Sequence, residues 1–129
     1  MVCLDSDFMI NFFRKKPHAV NKIKKLKKNE VNLSTTTINT FEMYRGFIDS
    51  KKHTPEIFEN FLNNVNILHF DFESSKKAAE IFEYLRVRGE LLDLADIMIA
   101  ATVITNNEIL LTENLKHFSR IPNLKIEEI

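Results

Sequence analysis

Residues 94–104 read Leu-Ala-Asp-Ile-Met-Ile-Ala-Ala-Thr-Val-Ile. On a helical wheel the apolar side chains of this stretch point in every direction. A helix that is apolar all round belongs inside a core. The spacing predicts a helix from about Leu94 to Thr105, with Asp93 and Asp96 at its start. Two readings of those acids stand side by side. Asp93 as N-cap and Asp96 as the third helical residue have the spacing of a capping box. Alternatively, a carboxylate held at the start of a buried helix is positioned to bind a cation.

The other segments supply layers for such a helix to pack against. Val2-Cys-Leu4 is a short apolar run ending in Asp5 and predicts a buried strand. Ser6 or Asp7 can cap a helix through Phe8, Met9, Phe12 and Phe13. Pro17 suits the first turn of a second helix whose Val20, Ile23 and Leu26 face away from its lysines. Val31–Ser34 is a second strand, and one of Thr35, Thr36 or Thr37 starts a helix that carries Glu42. Pro55 opens another helix, and Val65–Phe70 mixes β-branched and aromatic residues as strands do. Glu73–Val87 is amphipathic, with Ala78, Ile81, Phe82 and Leu85 on one side and Gly89 as its stop. After the apolar helix come a strand at Ile109–Thr112, a short helix at Asn114–Phe118 and a last strand at Leu124–Glu127.

Short strands alternating with helices predict an α/β domain with a mainly parallel central sheet of four to five strands. In such sheets ligands bind off the carboxyl ends of the strands. Asp5 and Asn114 each follow a strand end, the Asp96 helix can point its start at the same edge, and Glu42 can reach it. Several carboxylates around one cleft repel one another unless a cation binds. Oxygen-only donors select Mg2+ or Mn2+ over zinc. Such an ion activates water and stabilises charge on an attacked phosphate, which is the need of phosphodiester hydrolysis. The bland readings are that Asp5 caps the next helix and that Glu42 is a surface residue. His18, His53, His69 and His117 have neither metal-ligand nor triad spacing, and no glycine-rich phosphate loop is present.

Bulk properties limit the remaining classes. The 129 residues fit one domain, residues 1–129, and 44% hydrophobic with 28% charged is a globular balance. No apolar run approaches the roughly 20 residues of a membrane span, and the first residues lack a signal-peptide pattern. A cytoplasmic location without membrane attachment is the expectation. Cys3, the single cysteine, cannot form an intramolecular disulfide and reads as a small buried hydrophobe. Net charge is zero, yet Arg14 to Lys28 holds eight cations and no acid. A solvated helix face and a phosphate-backbone footprint are both open there.

Four stretches, in order, carry a resemblance. They are Leu4-Asp5-Ser6-Asp7, Ser34 to Gly46 around Glu42, Asp96-Ile-Met-Ile-Ala-Ala-Thr102, and Leu111 to Phe118. Together they resemble a PIN domain, and within that superfamily the VapC-type ribonuclease toxins of prokaryotic toxin–antitoxin pairs. The resemblance covers essentially the whole chain. It implies a three-layer α/β/α fold and a Mg2+- or Mn2+-dependent endoribonuclease. It implies Asp5, Glu42 and Asp96 as the catalytic acidic metal site, with Asp93 an extra acid at the rim. A fourth acid is frequent in the family after the fourth strand; here Asn114 occupies that place, with Glu113 beside it. Thr112 is expected to hydrogen-bond in the site. The implied partners are an RNA substrate, a cognate antitoxin that docks near the cleft, and a second copy in a homodimer. The many phenylalanines are either core or a groove for such a partner. Because Asn114 brings no charge, the alternative is a PIN-fold RNA- or protein-binding module with weak catalysis.

Overall fold

The computed structural model describes residues 1–50 and 55–129, so His53 lies outside the described residues. The chain alternates as expected. Strand β1 is Val2–Leu4, followed by helices α1 (Ser6–Phe13) and α2 (Pro17–Lys28). Then come β2 (Leu33–Thr36), α3 (Thr37–Ser50), α4 (Pro55–Leu62) and β3 (Val65–Leu68). The second half is α5 (Phe72–Val87), α6 (Leu94–Thr105), β4 (Ile109–Leu111), α7 (Leu115–Phe118) and β5 (Lys125–Glu127).

Among the described residues the four strand pairings are all parallel, and the sheet order is β3-β2-β1-β4-β5. β1 is buried along its length because both sheet faces are covered. Its alternating side chains divide the interior. Val2 and Leu4 join Phe8, Met9, Ile23, Leu26 and Phe58 on one face. Cys3 joins Leu85, Ile97, Ile99, Val103 and Phe118 on the other. The result is three layers, α/β/α. The chain fills the sheet outward from β1 to β3, then resumes at β4 on the other side of β1. The gap between the carboxyl ends of β1 and β4 is therefore the topological switch point, where ligands bind in open α/β sheets.

Several boundaries differ from the sequence expectations for local reasons. β2 runs Leu33–Thr36 rather than Val31–Ser34, because β-branched Thr35 and Thr36 continue the ladder. The Thr36 hydroxyl then accepts from the Asn39 N–H at 3.1 Å, and Asn39 Oδ1 accepts from the Thr36 N–H at 3.4 Å. That is a reciprocal cap, with Asn in the role usually taken by Glu or Gln. The predicted capping box at α6 does not form: Asp93 is at the N-cap position but its side chain makes no cap hydrogen bond. Asp5, not Ser6 or Asp7, caps α1. β3 stops at Leu68, short of Phe70, and Phe82 on α5 is partly exposed. Gly89 ends α5 at φ +67°, with the Glu90 N–H donating to the Leu85 carbonyl as in a Schellman motif. α6 is buried from Ile99 to Val103, while Leu94 in its first turn is 58% exposed. Among the described residues no helix is long and apolar enough to cross a membrane.

Candidate active site

At the carboxyl edge of β1 the chain must stop being apolar, and the next residue is Asp5. It is buried, so each of its oxygens needs a partner. Oδ1 accepts from the Ser6 N–H and from Asn39 Nδ2, both at 2.9 Å. Oδ2 accepts from the Thr112 hydroxyl at 2.7 Å. These partners lie 34 and 107 residues away in sequence, on the segments that follow β2 and β4. Asn39 is placed by the α3 cap, and Thr112 by the end of β4. Thus the three central strands each deliver one group to the same carboxylate.

A second chain of bonds reaches Glu42. Asn39 Nδ2 donates to Ser6 Oγ at 2.9 Å, and that hydroxyl donates to Glu42 Oε1 at 2.8 Å. Glu42 is three residues beyond Asn39 on α3, one turn further along the same face. Asp7, two residues after Asp5, accepts the Glu113 N–H at 3.2 Å. Asp96 enters from the first turn of α6. Together Asp5, Ser6, Asp7, Glu42, Asp96 and Asn114 line a cleft of about 960 Å³, with Ile10, Arg45, Gly46, Ile48 and Asp49 completing its wall.

The electrostatics record the crowding. Burial holds the Asp5 carboxyl above the usual carboxylate range, against the hydrogen bonds from Thr112, Ser6 and Asn39 that favour its ionised form. Asp7 is pushed up to about 7, first by burial and then by the charge of Asp5. Asp96 is pushed up to about 6 by burial, then by the charges of Glu42 and Asp93. Acids that raise one another in this way favour a cation among them. The donor set is all oxygen, which fits a hard divalent ion such as Mg2+ or Mn2+. Among the described residues, however, no three His, Cys, Asp or Glu side chains are already gathered into a metal cage. The acids stand around an open cleft, tied to hydroxyl and amide neighbours.

The structure therefore brings Asp5, Glu42, Asp96 and Asn114 to one cleft. Asp93 is exposed and outside the cleft lining, although its charge is felt by Asp96. Asn114 Nδ2 is 2.8 Å from His117 Nδ1. Glu113 turns its side chain the other way, accepting from Asn11 at 3.0 Å and pairing with His18 at 2.7 Å. Thr112 makes the expected site hydrogen bond. Asp7, Ser6, Asn39, Arg45 and Asp49 are cleft or support residues that sequence reasoning passed over. A signal existed for some: Asn39, Arg45 and Asp49 fall three before, three after and seven after Glu42, all on one helical face.

Known proteins share this fold and somewhat over a quarter of the aligned residues. The sequence profile of the PIN domain matches residues 2–124. Ribonuclease VapC2 of Rickettsia felis is 29% identical over 127 residues, spanning 96% of this chain and 94% of that protein. Ribonuclease VapC1 of Methanocaldococcus jannaschii is 28% identical over 120 residues, spanning 93% and 80% respectively. Among solved structures, VapBC2 from Rickettsia felis bound to a DNA fragment from its promoter superposes with a TM-score of 0.88. That likeness is at 28% identity and covers 98% of both chains.

Proposed function

We propose, from the premise that this chain belongs to the PIN domain family, that it is a divalent-metal-dependent endoribonuclease and the toxin of a toxin–antitoxin pair. The observation that carries the reading is the meeting of Asp5, Glu42 and Asp96 on one cleft at the switch point of the sheet. The likeness to two named VapC ribonucleases along nearly the whole chain supports the reaction class.

Asp5, Glu42 and Asp96 would hold Mg2+ or Mn2+, with Asn114 offering a neutral carbonyl in reach of the same cleft. When bound, such an ion supplies Lewis acidity toward a phosphoryl oxygen and lowers the pKa of a water. The protein's own contribution is positioning. Thr112, Asn39 and the Ser6 N–H fix the Asp5 carboxylate and favour its charged form. The Ser6 hydroxyl orients Glu42. The start of α6 favours the ionised form of Asp96 through the helix dipole. Asp93 is proposed only as an outer acid that adds to the local field.

The antitoxin partner is proposed on the likeness to VapBC2 and on exposed apolar side chains at the cleft, Ile10 and Ile48. A homodimer belongs to the same reading and is checked by sedimentation. A weakly catalytic binding module is favoured by one specific feature, Asn114 in place of a fourth acid.

Cleavage of RNA by purified protein in Mn2+ and in EDTA separates the two. The ribonuclease reading expects metal-dependent cutting that falls on the order of 10²-fold or more in Asp5→Asn and Asp96→Asn, equivalent to several kcal/mol of lost charge stabilisation. Cleavage that persists equally in both variants would remove this site from the reaction.

A further inference from the structure

A surface of the opposite sign runs from the turn before α2 down that helix, toward the sheet edge opposite the acidic cleft. Of the eight cations between Arg14 and Lys28, Lys22 turns inward and donates to Glu127 at 2.8 Å. The other seven are exposed: Arg14, Lys15 and Lys16 in the turn before α2, and Lys24, Lys25, Lys27 and Lys28 along it. Among the described residues none of these seven is in an ion pair. The contrast with α5 is informative. There Lys76, Lys77 and Arg86 are each paired three residues away, with Glu73, Glu80 and Glu83. A helix that needs only solubility can alternate its charges, as α5 does.

Helix stability does not account for α2. Lys25, Lys27 and Lys28 suit the negative end of the helix dipole, but Lys15 and Lys16 stand at the positive end, where cations are unfavourable. No acid offsets them in the first turn, and Lys16 at the N-cap makes no capping bond. Like charges one turn apart, such as Lys24 and Lys28, oppose each other. The apolar residues Ala19, Ile23 and Leu26 are all turned into the core. The outward face therefore has charge without the apolar anchors of a protein hot spot or a membrane-surface helix.

The turn that begins the stripe is tied to the cleft. Asn11 and His18, on either side of the basic turn, both bond to Glu113 Oε1. The Glu113 amide donates to Asp7 in the cleft, and Asn114 beside it lines the wall. A polyanion is repelled by a cleft of carboxylates unless cations hold it nearby.

We propose that the Arg14–Lys16 turn and Lys24–Lys28 form a track for the sugar–phosphate backbone of the RNA substrate, outside the scissile bond. This rests on the ribonuclease reading and assigns to the track affinity rather than chemistry. The test compares the parent with a variant carrying Lys24→Gln, Lys25→Gln, Lys27→Gln and Lys28→Gln. Binding of a fluorescein-labelled single-stranded oligoribonucleotide is followed by anisotropy in EDTA across a salt series, and cleavage is followed in Mn2+.

The track predicts a Kd raised about tenfold or more. The slope of log K against log salt becomes shallower by about 0.7 for each phosphate that is no longer neutralised. In cleavage KM rises while kcat holds. The same four positions changed to Arg retain parent affinity, and Lys76→Gln with Lys77→Gln on α5 changes nothing. Unchanged Kd and slope in the glutamine variant overturn the proposal, as does an equal loss in the α5 variant. A glutamine variant that keeps RNA affinity but loses binding to a polyglutamate peptide assigns the stripe to an acidic protein and overturns it too. A parent that binds RNA through these lysines without cutting it defeats the ribonuclease reading alone. A parent that cuts RNA while the glutamine variant is unimpaired defeats the track alone.

Discussion

Asp7 and Asp96 owe their raised pKa values to the same neighbourhood, and that makes the site a stability device as well as a candidate catalyst. Their folded-state values, about 7 and about 6, lie above the usual value near 3.9 of an unfolded chain. Their neutral forms therefore contribute stability that is complete below about pH 4 and is lost as pH rises through about 6 for Asp96 and about 7 for Asp7. Metal-free protein is expected to melt at progressively lower temperature between about pH 5 and about pH 8, measured by calorimetry in EDTA. Asp96→Asn should flatten that decline, because its amide does not titrate. A melting temperature that climbs over this range in both proteins would show that ionising Asp7 and Asp96 does not destabilise the fold. Asp5 differs in that three hydrogen bonds favouring its ionised form oppose the effect of its burial.

At the scale of elements, the α3 cap links folding to the site. Thr36 ends β2 and caps α3, and its partner Asn39 goes on to hold Asp5 and Ser6. Thr36→Ala removes the hydroxyl from both tasks. Loss of the cap alone costs about 1 kcal/mol, and the released Asn39 amide should loosen Asp5. Chemical denaturation is expected to give a stability loss of about 1–2 kcal/mol, with cleavage reduced further than that loss of folded protein explains. Equal effects of Thr36→Ala and Thr40→Ala would deny the cap its special place, since the Thr40 hydroxyl only donates back to Thr37 within α3. The α6 capping box fails for a related reason. Asp96, which would have reached back to close it, lines the cleft instead.

At the scale of the whole molecule, zero net charge conceals a separation of acids and bases onto different surfaces. Among the described residues, the basic side chains at the acidic cleft are Arg45 in its wall and the neighbouring His117. A divalent ion that binds the folded state and not the unfolded chain should stabilise it by mass action, about 2.7 kcal/mol at 100 times Kd. For a chain of this length that is a rise in Tm on the order of ten degrees. Mn2+ titration at about pH 8 is expected to raise Tm, and the rise should vanish in Asp5→Asn. It should also shrink toward about pH 5, where protons compete for the same carboxylates. A Tm indifferent to Mn2+ would favour the binding-module reading that Asn114 suggests.

The division between what sequence reveals and what the fold decides follows from the range of the forces. Periodicity, caps and strand-ending acids are local, so the alternation of elements and the buried α6 were legible along the chain. The positions of Asp5 at a strand end and Asp96 at a helix start could likewise be read, with Glu42 in reach from the second turn of α3, because parallel sheets gather such termini at one edge. Even Gly89 announced itself, since a left-handed stop favours glycine. The partners of Asp5 could not be read, because Asn39 and Thr112 reach it only after β2 and β4 pair on either side of β1. The same pairing turned Glu113 away from the cleft and drew Asp7 in. It also left Asp93 exposed at an uncapped helix start. Sequence by itself determined which elements form and which edge bears the acids. Tertiary structure decided which carboxylates meet and how strongly they repel, because that depends on groups brought together across more than a hundred residues of chain.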